Sequence, residues 1–262
     1  AVEDRHDLWD MYYEFGPNEA ISTHKESMSY VVQLAPGYRL FALNDDTNYK
    51  PEGEHGSGFS DDCMQWILEQ LKDAQEQDQY VIAMTHHPMI APSPFYAIIG
   101  KGDMQRNHET TRETFADAGL HCMLTGHTHV HNISSIVTKK GNVFYDIACG
   151  AMIGCPPVMR TITFDPAHAK IDVDTTVIKE VPGLDTGGKP FDEYMKGFFF
   201  GMISEVIWAM GNDIDRLAEM TPAFSIPGEK VKKLAWIIKP IGKFLNKLTF
   251  KKIWKICKKE SG

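Results

Sequence analysis

The chain has 262 residues, 43% of them apolar and 24% charged, with a formal charge of −8, a length that buries one substantial core and leaves room for an appendage. No stretch reaches the roughly 18–20 uninterrupted apolar residues of a membrane span. The nearest, FFFGMISEVIWAM, is broken by Glu205, and AVEDRHDLWD at the start has neither the basic nor the apolar region of a signal peptide.

In chain order, the runs SYVVQL and RLFALND flank Ala35, Pro36 and Gly37, a turn sequence, and predict an antiparallel strand pair. The segment FSDDCMQWILEQLKDAQEQ predicts an amphipathic helix. Ser60 suits its cap, Asp61 and Asp62 suit the positive end of its dipole, and Met64, Ile67, Leu68 and Leu71 fall on one face. YVIAM is apolar and too short for a helix, so it reads as a buried strand, and it ends at THHP. A second helix is expected from about Asn107 through Ala118, with Gly119 at a left-handed cap, and then the strand LHCML, which runs into TGHTHVH. SSIVT, NVFYDIACG, RTITFD and KIDVDTTVI follow as strands, with KKGN and DPAHA as turns. DEYMKGFFFGMISEVIWAMGNDIDRLAEM reads as one more helix. Beyond it, apolar residues recur at helical intervals from Leu234 to Ile256, with Pro240 as a kink or break.

Charge is distributed unevenly. Residues 229–262 hold 11 Lys against 2 Glu, a net of +9, which leaves −17 for residues 1–228. The five cysteines, Cys63, Cys122, Cys149, Cys155 and Cys257, form no CxxC and read as reduced thiols.

Both histidine clusters lie just past strands, the place where functional groups collect in open α/β sheets. His86 and His87 follow one strand; His127, His129 and His131 follow another. Neutral imidazole is a common ligand for Zn, Fe, Mn or Ni, and three with an open position suit a hydrolytic metal site. Gly126 is expected to permit a strand exit that a Cβ would obstruct, and Pro88 to fix the chain after the first pair. A single histidine after a strand is more often a hydrogen-bonded loop residue, and spacing alone leaves both readings open.

In that order and spacing, SGFSDDCMQWILEQL, VIAMTHHPM and LHCMLTGHTHVHN resemble the second half of the calcineurin-like metallophosphoesterases, over approximately residues 30–165. The resemblance implies an α/β fold of mixed β-sheets flanked by helices, a partial sandwich. Residues 1–180 would form the phosphoesterase part, and residues 190–262 a helical carboxyl-terminal appendage with a basic amphipathic tail. It also implies metal ligation by the first histidine of HHP and both of GHTH: His86 and His127 on one metal, and His129 on its neighbour. His87 and His131 match no ligand position and are expected to support the ligands or to lie on the surface. The family's amino-terminal GDxH, GDxxD and GNHD motifs are not found; residues 1–46 offer only RHDLWD and the pair Asp45–Asp46, where the family has a loop aspartate that is not a ligand.

The expectation that follows is the carboxyl-terminal part of a longer metal-dependent phosphoesterase, which hydrolyses phosphomonoesters or phosphodiesters through a metal-bound hydroxide. The full centre would use two divalent transition metals, Mn, Fe or Zn. This chain alone, lacking the carboxylates, would hold at most one weakly and be nearly inactive. A noncatalytic phosphate-binding or scaffold protein on the same fold is the alternative. The expected partner is a small phosphoester; the rim loop PSPFYAIIGKGDMQRNH reads either as a solvated loop or as a contact to that substrate through Tyr96, Lys101, Arg106 or His108. Residues 229–262 would pack as helix on the acidic body or bind an anionic membrane surface. No nucleic-acid reading motif accompanies their charge. Oligomeric state and compartment are left open, with a cytoplasmic, membrane-peripheral location suiting the thiols and the tail.

Overall fold

The computed structural model describes residues 5–46, 57–93, 96, 101–165, 170–224 and 226–248. The chain divides into two compact units, Ala1–Met152 with Val158–Val177, and Ile153–Pro157 with Ile178–Gly262.

In the first unit a short helix α1 (Arg5–Met11) precedes β1 (Ala20–His24), β2 (Ser29–Ala35) and β3 (Tyr38–Ala42). Helix α2 (Asp61–Glu76) leads to β4 (Tyr80–Met84), and α3 (His108–Asp117) to β5 (Cys122–Thr125). Then come β6 (Asn132–Val137), β7 (Val143–Ala148), β8 (Val158–Asp165) and β9 (Lys170–Val177). The seven-stranded sheet has the order β1-β2-β3-β4-β5-β7-β6, and β8-β9 make a second, two-stranded sheet. Strands β3, β4, β5 and β7 run parallel, while β1, β2 and β6 pair antiparallel. The α/β class, the mixed sheet with flanking helices and the helical carboxyl-terminal part are thus as the sequence leads one to expect.

One face of the large sheet carries the core. Val31, Phe41, Ala83, Met123 and Phe144 from the strands meet Ile67 and Leu71 of α2 and Phe115 of α3, all buried. The buried stripe of α2 is Cys63, Ile67, Leu71 and Ala74, with Met64 and Leu68 at its margin. Because side chains alternate across a strand, Tyr38 points to the other face, where its ring meets Phe164 of β8 at 5.2 Å. The expected Ser60 cap is absent. The Ser60 hydroxyl bonds the Asp62 carboxylate instead, the main cause holding that group below the usual carboxylate range. Gly119 does take the left-handed conformation, at φ 90°. Cys63, Cys122, Cys149 and Cys155 are free thiols, and Cys257 lies outside the described residues.

In the second unit the single long helix expected from residue 192 onward is two, α4 (Phe191–Asn212) and α5 (Ile214–Met220). Asp213 between them is extended and accepts the Arg216 amide at 3.1 Å, so a new N-cap divides the run. Helices α6 (Gly228–Lys233) and α7 (Ala235–Lys247) follow. Pro240 neither ends nor starts a helix; α7 runs through it, giving up one backbone donor, and the break falls at Leu234. No helix among the described residues is long and apolar enough to cross a membrane.

Helices α4 and α7 meet backbone to backbone. A Cβ on Gly242 would lie 2.4 Å from the Gly211 nitrogen, whereas one on Gly201 meets nothing within 4 Å. Gly242→Ala is therefore expected to destabilise this unit by about 1–3 kcal/mol. Gly201→Ala should instead gain about 0.5–1 kcal/mol from helix propensity. Thermal unfolding followed by circular dichroism separates the two, and equal melting temperatures would refute the crossing.

Candidate metal centre

Parallel pairing of β3, β4 and β5 brings their carboxyl ends to one edge of the sheet. Asp45 comes three residues after β3, His86 and His87 two and three residues after β4, and His127 two residues after β5. Backbone bonds extend the ladder past the strand ends: the Thr85 amide donates to the Leu124 carbonyl at 3.0 Å, and the Gly126 amide to the His86 carbonyl at 3.0 Å. The two loops that carry the imidazoles are thereby fixed to one another.

His86 Nε2 lies 3.0 Å from His127 Nδ1, across 41 residues of sequence. His87 joins them, its ring centroid 4.4 Å from that of His127 and 4.9 Å from that of His86. One ligand atom from each of His86, His87 and His127 falls within 4.8 Å of the others, spacing that a single ion could bridge. His129 is outside this group and exposed, close enough to His86 to bear on its charge. His131 is turned away: its Nε2 meets Thr175 Oγ1 at 2.9 Å, and its Nδ1 accepts the Gly150 amide at 3.3 Å. It ties the β5 loop to β7 and β9.

Two carboxylates orient the imidazoles. Asp45 is fully buried; one oxygen accepts the His87 amide at 3.2 Å and the other meets His87 Nδ1 at 3.1 Å. The Oδ1 atom of Asp103 is buried without a hydrogen-bond partner among the described residues and stands 3.7 Å from His127 Nε2, an ion-pair distance rather than a hydrogen bond. A carboxylate facing the far nitrogen of an imidazole is the arrangement that fixes the tautomer of a metal ligand. Burial pushes the pKa values of His86 and His127 down, and the neighbouring imidazoles add to this, which favours the neutral ring that a ligand needs. Three imidazoles with two orienting carboxylates suit Zn or another borderline divalent metal.

Backbone strain is concentrated here. His127 and His129 have φ of 58° and 55°, left-handed values that cost a non-glycine residue about 1–3 kcal/mol each and persist only where the surroundings dictate them. The role expected of Gly126 falls to these histidines: its φ is not positive, and an added Cβ would sit 3.8 Å from the His86 carbonyl, ordinary contact.

Asp146 on β7 underlies the whole assembly. Buried to 1% exposure, its carboxylate accepts the Met89 amide at 2.6 Å, the Ile90 amide at 2.9 Å and the Thr125 hydroxyl. It thus pins the loop after His87 to the end of β5, and Arg112 adds a bond to the Met89 carbonyl at 2.9 Å. Burial raises its carboxyl pKa, opposed by these bonds. Sequence reading passed over it, though an aspartate inside the apolar run VFYDIA is the signal that could have marked it. Asp103, in the rim loop, offered no comparable signal. Of that loop, Tyr96 donates from its hydroxyl to the Thr128 carbonyl at 3.1 Å, and His108 Nδ1 lies 3.0 Å from the Gln105 carbonyl.

No family model matches the chain, and no curated protein matches it. Among solved structures it is similar to a dimetal phosphatase from Danio rerio, at 16% identity and a TM-score of 0.44, over 59% of this chain and 58% of that one. The chain thus spans less than two thirds of that phosphatase.

Proposed function

We propose that the chain carries part of the centre of a metal-dependent phosphoesterase acting on small phosphomonoesters or phosphodiesters. The observation that supports it is the meeting of His86 and His127 at 3.0 Å, from loops after adjacent parallel strands. In this reading His86 and His127 hold one divalent ion, and His129 faces a neighbouring position for a second. Bound there, an ion supplies Lewis acidity toward phosphoryl oxygens and acidifies a water. His87, set by Asp45, closes one side of the site, and Asp103 keeps the His127 ring in place.

Two ions of Mn, Fe or Zn would make the complete pair, which needs carboxylate ligands to offset their charge. Asp45 and Asp103 face imidazoles, and in this reading the chain alone holds at most one ion, weakly, and is nearly inactive toward phosphoesters. The test is elemental analysis of the purified chain after incubation with Mn²⁺, Fe²⁺ or Zn²⁺, with bis(p-nitrophenyl) phosphate and p-nitrophenyl phosphate as substrates. One equivalent, removed by chelator, and a slow metal-dependent rate are expected. Two tightly held equivalents would overturn the count, and no uptake at millimolar ion would overturn the metal reading. Uptake with no hydrolysis of either ester would favour the noncatalytic binding protein.

A further inference from the structure

Helix α7 presents three rows of residues, each at the three- or four-residue spacing that aligns side chains along one face. The inner row is Ile238, Gly242 and Asn246: Ile238 packs on the cluster of Ala209, Leu217, Ala218 and Val231, Gly242 touches Gly211, and Asn246 Nδ2 donates to the Ile207 carbonyl at 2.8 Å. This row seats the helix. A second row, Ile237, Ile241 and Phe244, is apolar yet outward, with Phe244 62% exposed, and Trp236 is 74% exposed. The third row is Lys239, Lys243 and Lys247, exposed and in no ion pair with a described residue.

We propose that this outer face of α7 lies on an anionic lipid surface, the apolar row entering the headgroup boundary and the lysine row meeting the lipid phosphates and carboxylates. An uncovered aromatic and aliphatic row beside a row of lysines is the composition of an interfacial helix. The charge of the chain is complementary to such a surface only here: residues 229–262 carry +9, and residues 1–228 carry −17 and would be repelled. Helices α6 and α7 are thus the region fitted to approach a negative bilayer, and the sequence beyond them, TFKKIWKICKKESG, repeats the pairing of lysine with aromatic residues. The inference does not depend on the hydrolytic reading.

Co-sedimentation of the full chain with phosphatidylcholine vesicles, with and without about one third phosphatidylserine, tests it. Binding is expected on the mixed vesicles, falling steeply as salt is raised, and little is expected on phosphatidylcholine alone. The triple variant Lys239→Gln, Lys243→Gln, Lys247→Gln should lower partitioning on the order of 100-fold. Ile241→Ser with Phe244→Ser should also lower it, with the helical circular dichroism retained in both variants. Three outcomes would overturn the proposal: no preference for anionic vesicles, full binding by the serine variant, or a dimer in solution that the serine variant dissociates, which would assign the face to a second copy.

Discussion

Asp146→Ala is expected to destabilise the first unit by about 3–5 kcal/mol, because it leaves the Met89 and Ile90 amides and the Thr125 hydroxyl without their buried acceptor. At roughly 2–4 °C per kcal/mol for a unit of this size, the melting temperature should fall by on the order of 10 °C. Asp146→Asn should fall between, since its amide oxygen can accept some of these bonds while its NH₂ faces other donors. The loop they hold begins at His87, so metal uptake should decline with the melting temperature even though Asp146 is no ligand. An alanine variant that melts like the parent would show that the loop is held by something else.

The second large effect concerns the imidazoles. His86→Ala or His127→Ala should each abolish measurable binding of the single ion, followed by calorimetric titration with Zn²⁺ or by the visible spectrum of the Co²⁺ form. Asp45→Asn weakens the hold on the His87 ring that closes one side of the site, and should lower affinity less than either alanine variant. His129→Ala should leave the same titration nearly unchanged, because His129 lies outside the group of three. A loss with His129→Ala as deep as with His127→Ala would relocate the ion and remove the basis for grouping His86, His87 and His127.

These expectations depend on features of unequal visibility. The ends of β4 and β5 were legible because YVIAM and HCML are apolar runs, too short for helices, that stop abruptly before histidines. Their adjacency was implied by the alternation of strands and helices. Which imidazole would face which was not. The second histidine of HHP and the first of GHTH turn together because His87 is caught by Asp45, a residue 42 positions away, and because His127 takes a left-handed φ.

Sequence by itself determined the α/β class, the strand-end placement of both histidine clusters, the free thiols among the described cysteines and the contrast between an acidic body and a basic tail. Each of these follows from composition or from a short-range period, and none needs a distant partner. Tertiary structure alone decided that Asp45, Asp103 and Asp146 brace the imidazole loops, that Asp213 divides one apolar run into two helices, and that Gly211 meets Gly242. It also decided that α7 keeps an apolar row outside its own packing. Those outcomes depend on hydrogen bonds and close approaches between segments far apart in the chain, and no local pattern of residues encodes which distant group will arrive.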